Sequence, residues 1–193
     1  MKPVDSFRKI EDEELRGDKY EGISKIWNYP AGEFEIPAIN FKGQYISLHL
    51  CERFEIVLGN IYSLYCISSH GFADPSLFKI DERMKRFGSH ILMIKDNPAF
   101  LNLIRKNLKS RKIPYREGFV EYYHKNKING EIDILQKSME FEYQKEFRIF
   151  AYQKECTPLI LKLGSLEAIS EILPIHAVDS FELTSNHPLA LTQ

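Results

Sequence analysis

Short runs in which apolar and polar positions alternate dominate this chain, and longer runs with helical spacing are few. Residues 45–50, 61–67, 90–95, 119–123, 147–152 and 159–163 alternate or are rich in β-branched and aromatic side chains, and each predicts a strand. Pro98 opens a helix with Phe100, Leu101, Ile104 and Leu108 three to four residues apart, and Asn97 is placed to cap it. Residues 132–143 predict a second helix. Ser165 is placed to cap a short third one carrying Leu166, Ile169 and Ile172. Strands outnumber helices and the two are not regularly interleaved. The expected fold class is therefore α+β, a single domain over residues 1–193 with a mixed or antiparallel central sheet flanked by helices. Residues 1–25 form a charged N-terminal segment, with Glu11, Asp12, Glu13 and Glu14 as an acidic cluster.

Composition narrows the class of function only a little. A chain of 193 residues that is 44% hydrophobic can bury the core of one globular domain. A net charge of −1 gives no overall pull toward nucleic acid or membrane. No apolar run approaches the roughly 20 residues of a membrane helix, and no signal core opens the chain. The expectation is a cytoplasmic protein with no membrane partner. Cys51, Cys66 and Cys156 are far apart and odd in number, which suits reduced thiols. The histidines are scattered too, so no metal site is expected.

Four stretches could carry chemistry. At Gln144-Lys145-Glu146 a helix-compatible run gives way to a strand, so Glu146 stands at a strand mouth with the Gln144 amide two residues before it. In extended chain the two side chains share a face. A carboxylate there could stabilise an oxocarbenium-like transition state. A solvated helix end is the plain alternative, and Arg148 is placed to pair with Glu146. In Tyr65-Cys66-Ile67-Ser68-Ser69-His70-Gly71 an apolar strand ends in hydroxyls, which fits a polar pocket rim or an ordinary turn. Residues 15–22 offer Arg16, Asp18, Tyr20 and Glu21 among glycines whose spacing matches no phosphate-binding loop. Residues 105–116 carry Arg105, Lys106, Lys109, Arg111, Lys112 and Arg116 with no acid between them. Such a segment fits a nucleic-acid contact with Tyr115 for stacking, or cations at a helix C-terminus.

Taken in order, Asp18-Lys19-Tyr20-Glu21-Gly22, Tyr65-Cys66-Ile67-Ser68, and Tyr143-Gln144-Lys145-Glu146-Phe147-Arg148-Ile149 resemble a broad group of bacterial proteins. That group shares a D-x-x-E-G turn, a Y-C-x-S strand and a Y-Q/E-x-E-x-R-I strand, and is itself similar to the ADP-ribosyltransferase superfamily. The resemblance runs from about residue 15 to residue 172. It implies an ADP-ribosyltransferase-like fold and an enzyme that splits NAD, its substrate, at the nicotinamide glycosidic bond. Glu146 would anchor the ribose and stabilise the cation, and Gln144 would orient the acceptor. Ser68, or Ser69, would supply the serine-strand hydroxyl. Arg16 or Arg8 would contact NAD, with Tyr20 beside it. Residues 66–69 match the superfamily's serine strand only loosely, and the stretch before Asp18 is short for a first strand. The implied role is a toxin or phage-defence effector acting on a nucleic-acid or protein acceptor, with an antitoxin protein as a further partner. A non-catalytic binding module of such a system, and a metal-dependent nuclease using Asp18, Glu21 and Glu146, are the alternatives.

Overall fold

A computed structural model describes residues 1–8, 20–53, 59–67 and 79–182. The N-terminal half contains β1 (Lys2–Pro3), α1 (Val4–Arg8), β2 (Ile23–Tyr29), β3 (Gly32–Ile36), β4 (Phe41–Tyr45), β5 (Leu48–Arg53) and β6 (Asn60–Tyr65). There follow α2 (Glu82–Lys85), β7 (His90–Ile94), α3 (Asn97–Ser110), β8 (Tyr115–Phe119), β9 (Glu121–Tyr123), β10 (Gly130–Glu131) and β11 (Gln136–Ser138). A 3-10 segment, Met139–Gln144, then leads into β12 (Glu146–Ala151), and β13 (Ser170–Pro174) comes last of the strands. The arrangement is α+β and strand-rich. Its pairings are antiparallel apart from the short parallel pair of β9 and β11.

The sheet that matters for function has the order β1-β6-β12-β8, so β12 is flanked on both sides. Alternation along β12 gives it two different faces. Ile149 and Ala151 are fully buried against Phe100, Ile104 and Leu108 of α3, with Phe147, Tyr62 and Leu64 around them. This is the stripe that the spacing in α3 announces. Glu146, Arg148 and Phe150 point the other way. Phe150 meets Val4 and Ile61, which ties α1 to the sheet.

The predicted strands at 61–67, 90–95 and 147–152 correspond to β6, β7 and β12, and the helix opening at Pro98 to α3. Its cap, however, is Asp96, whose Oδ1 accepts from the Ala99 N–H at 2.9 Å; Asn97 is already helical. The strand expected at 45–50 is instead the end of β4, a turn at Ile46 and Ser47, and the start of β5. Ile46 is 90% exposed, which a continuous half-buried strand would not allow. The 119–123 strand is likewise interrupted at Val120, whose N–H donates to Glu146 O at 2.9 Å.

Three expectations fail outright. Residues 132–143 are not a helix. Asp133 accepts from the Leu135 N–H, and Gln136 Oε1 from the Asp133 N–H, both at 2.9 Å. These side chains close a local turn in competition with helix, as short polar residues do. Residues 159–163 form no strand: Leu159 exchanges hydrogen bonds with the N-terminal Met1, and the chain beyond packs its leucines on the α3 cluster. The helix expected after Ser165 is instead a turn at 167–169 followed by β13, in which Ile172 pairs opposite Leu92 of β7. There the β-branched run is satisfied by a distant strand that no local pattern reveals.

Candidate functional site

Glu146 begins β12, but it does not stand on a solvated rim. It is 5% exposed, and Arg148 beside it is 1% exposed, the largest of the fully buried side chains. Arg148 lies opposite Ser63 of β6, and Glu146 opposite Tyr65. The neighbouring strand therefore brings Ser63 onto the same face. Ser63 Oγ donates to Glu146 Oε2 at 2.5 Å. Arg148 reaches the same oxygen with Nη2 at 3.2 Å and Nε at 3.4 Å. Its principal partner is Glu21, bound in a fork at 2.9 and 3.1 Å, and Nη1 also donates to Ile134 O at 2.7 Å. Lys137 of β11 completes the group. Its Nζ donates to Glu146 Oε1 at 2.6 Å and to Gln144 Oε1 at 2.7 Å.

Two cations and two carboxylates thus lie buried together. Gln144 and Glu146 do converge, though not through extended chain. Lys145 between them is left-handed at φ 38°, and Lys137 holds their ends together. The Gln144 amide is used at both ends, since its Nε2 donates to Tyr143 Oη at 3.1 Å. It therefore supports Lys137. The solvated helix end proposed as the plain alternative is excluded by burial.

Burial by itself would raise the Glu146 pKa. The charges of Arg148 and Lys137, with the Lys137 and Ser63 hydrogen bonds, outweigh it and hold the carboxyl at about 2. Burial likewise opposes charge on Arg148, and Glu21 and Glu146 more than restore it. A carboxylate so held stays ionised through the neutral range and cannot shuttle protons there. It also links stability to pH. The folded-state value lies below the ordinary 4.5, so its contribution is complete above that pH and is lost as pH falls from 4.5 toward 2. The loss is on the order of 3 kcal/mol. Urea midpoints measured down this range should fall steeply. Glu146→Gln should remove most of the slope.

Above this floor is a pocket of about 570 Å³ whose walls include Phe7, Tyr62, Tyr65, Met84 and Phe87. Ser63 is exposed to it. A second, more polar cavity of about 810 Å³ shares Tyr65 and is lined by Lys79, Arg83, Tyr143 and Lys145. Arg83 stacks on the Tyr143 ring at 3.6 Å. Tyr65 Oη, at the boundary, is buried and has no hydrogen-bond partner among the described residues.

Comparison with known protein families, with characterised proteins and with solved structures gives no match. The reading of this site therefore rests on its geometry.

Of the other residues singled out from sequence, Arg16, Ser68 and Ser69 lie outside the described residues, as does the side chain of Arg8. Tyr20 packs beside Ile23 and Ile26 and does not line the Glu146 pocket. The Arg148 guanidinium occupies the space between Glu21 and Glu146 where an ion would sit, and Asp18 is outside the described residues. Lys137 was missed because it falls in a stretch that reads as a polar helix. Ser63 was missed because only pairing with β12 gives it a role.

The basic segment divides in two. Arg105 pairs with Glu117 at 2.5 Å, Arg116 with Asp133 at 2.6 Å, and Arg111 donates to Ile160 O at 2.8 Å. Lys106, Lys109 and Lys112 remain exposed, with no acidic partner among the described residues. They lie on or just after α3, which covers the sheet face opposite Glu146. If this segment binds nucleic acid, replacing the three lysines by Ala should lower the log–log salt slope by about 0.9 per lost phosphate contact. Arg105→Ala and Arg116→Ala should change the slope much less. Equal effects from the arginines, or no binding by the parent at low salt, would remove nucleic acid from consideration.

Proposed function

We propose that the pocket over Glu146 takes NAD and that the protein cleaves its nicotinamide–ribose bond, passing ADP-ribose to an acceptor or to water. The observation that carries this reading is a buried carboxylate, held by Lys137 and Arg148, at the floor of a pocket large enough for a nucleotide. When nicotinamide leaves, it takes the bonding electron pair, and positive charge develops on the ribose carbon and ring oxygen. A fixed negative charge nearby stabilises that state. Proton transfer is not required of Glu146, which suits a group with a pKa of about 2. Arg148 spends its fork on Glu21 and makes only longer contacts to Glu146, whose close cation is Lys137 at 2.6 Å. Ser63 is placed to exchange its bond to Glu146 for one with a ribose hydroxyl. Tyr65 Oη offers an unused hydrogen bond at the edge of the pocket.

One observation favours a second reading, a non-catalytic nucleotide-binding module. Both Glu146 oxygens already have partners, so the ionic network is closed without a ligand. Incubating the protein with NAD labelled in its adenylate half separates the two. Nicotinamide release above the buffer rate supports the enzyme. Saturable NAD binding with no release supports the module. Neither release nor binding by folded protein would refute both.

A further inference from the structure

A second constellation lies on β2 and β5 and shares no residue with the Glu146 pocket. The two strands pair with Asn28 opposite His49 and Ile26 opposite Cys51. His49 and Cys51 are two apart on one strand and project from the same face. Cys51 Sγ lies 3.1 Å from His49 Nε2, and His49 Nδ1 lies 2.7 Å from Asn28 Oδ1.

Asn28 is firmly oriented. Its Nδ2 donates to Lys125 O at 2.8 Å and Ile128 O at 2.7 Å, and its backbone N–H donates to Asn129 Oδ1 at 2.6 Å. Both amide hydrogens are used, so Oδ1 is the atom presented to the ring. An acceptor at Nδ1 puts the imidazole proton there and leaves the Nε2 lone pair aimed at the thiol. Tyr20 meets the His49 ring edge-on at a centroid distance of 6.4 Å and restricts its rotation. A nucleophile, a base and an orienting amide therefore stand within hydrogen-bond reach in sequence.

We propose that Cys51 is a base-assisted nucleophile that accepts an acyl group from a small activated donor, a thioester or aryl ester. His49 is its base and Asn28 a positioning residue. As Sγ bonds to the acyl carbon, its proton passes to His49 Nε2. The bond from that carbon to the leaving group breaks, and the leaving group departs with the electron pair and takes the proton from His49. The products are S-acylated Cys51 and a free thiol or phenol, with no change of oxidation state. Burial pushes the Cys51 thiol up, and Arg53 only partly opposes this, so the thiol holds its proton at rest. Proton transfer then accompanies attack instead of preceding it. Access is open: β5 is the outer strand of the β10-β2-β5 sheet, and His49 is exposed.

The test uses p-nitrophenyl acetate on the whole protein, with acetylation of Cys51, Cys66 and Cys156 followed by peptide mapping. Cys156 is an internal control, being the most exposed of the three thiols. Cys51 should acetylate ahead of Cys156, although it is less exposed. His49→Gln should slow Cys51 by about 10²-fold or more, the usual size of general-base assistance. Cys156 should keep its rate. Asn28→Ala should also slow Cys51, and Asn28→Asp, which keeps the acceptor oxygen but loses the amide hydrogens, should recover most of that rate. Acetylation of Cys156 before Cys51 in the parent would overturn the proposal, as would a parental Cys51 rate in His49→Gln.

Discussion

Arg148→Met should destabilise the protein by about 3–5 kcal/mol, a large part of the 5–15 kcal/mol that holds a typical domain together. The guanidinium is 1% exposed and bridges Glu21 and Glu146. Without it, two carboxylates remain buried with Lys137 as their single cation. Desolvation that was compensated becomes uncompensated, which is why breaking such a network costs far more than the net worth of any bond in it. The measurement is a urea unfolding curve at neutral pH. Adding Glu21→Gln to Arg148→Met should recover much of the loss, since it restores the balance of one cation and one anion. A midpoint for Arg148→Met close to the parent's would mean that the network is open to water in solution.

Removing the Glu146 charge should reduce nicotinamide release by about 10²–10³-fold, the usual effect of deleting one well-placed electrostatic group, roughly 3–4 kcal/mol. Sequence alone places Glu146 at a pocket rim, where Glu146→Gln would leave the fold untouched. The structure corrects this, because Glu146 is one of two anions balancing two buried cations. Glu146→Gln alone would confuse lost chemistry with lost stability. The informative variant is the pair Lys137→Met with Glu146→Gln. It removes one charge of each sign and leaves the Arg148–Glu21 fork intact. Replacing a buried ion pair by groups of similar volume is often neutral for stability. Methionine also suits a place over the Phe141 ring, which Lys137 Nζ approaches to 4.7 Å. A folded double variant that still releases nicotinamide at the parental rate would sink the oxocarbenium role of Glu146.

What could be read from the sequence follows from how local each signal is. α3, β6, β7 and β12 were legible because each carries its own apolar period. Glu146 was legible because it stands where the pattern changes, and its pairing with Arg148 followed from spacing. Residues 132–143 were misread because their polar spacing suits a helix and the Asp133 turn is set by side chains. The serine of the site was sought at Ser68 or Ser69, after the strand. Those two lie outside the described residues; among the described ones the side-chain hydroxyl that reaches the Glu146 carboxylate is that of Ser63, within the strand, and the β6–β12 register selects it. Lys137 comes from β11, which pairs with β9 and not with the strand it serves. Contacts of this kind are decided by topology and leave no mark in a window of neighbouring residues.

β12 carries the α3 core on one side and, at Glu146 and Arg148, the ionic cluster on the other. A slip of one residue against β6 would exchange them, driving Glu146 and Arg148 under α3 and Phe147 and Ile149 into the polar site. No intermediate register is tolerable, because both faces reject the other's residues. The charges therefore proofread assembly: a chain that closes its sheet out of step gains neither the core nor the salt links, and must open again before it can fold.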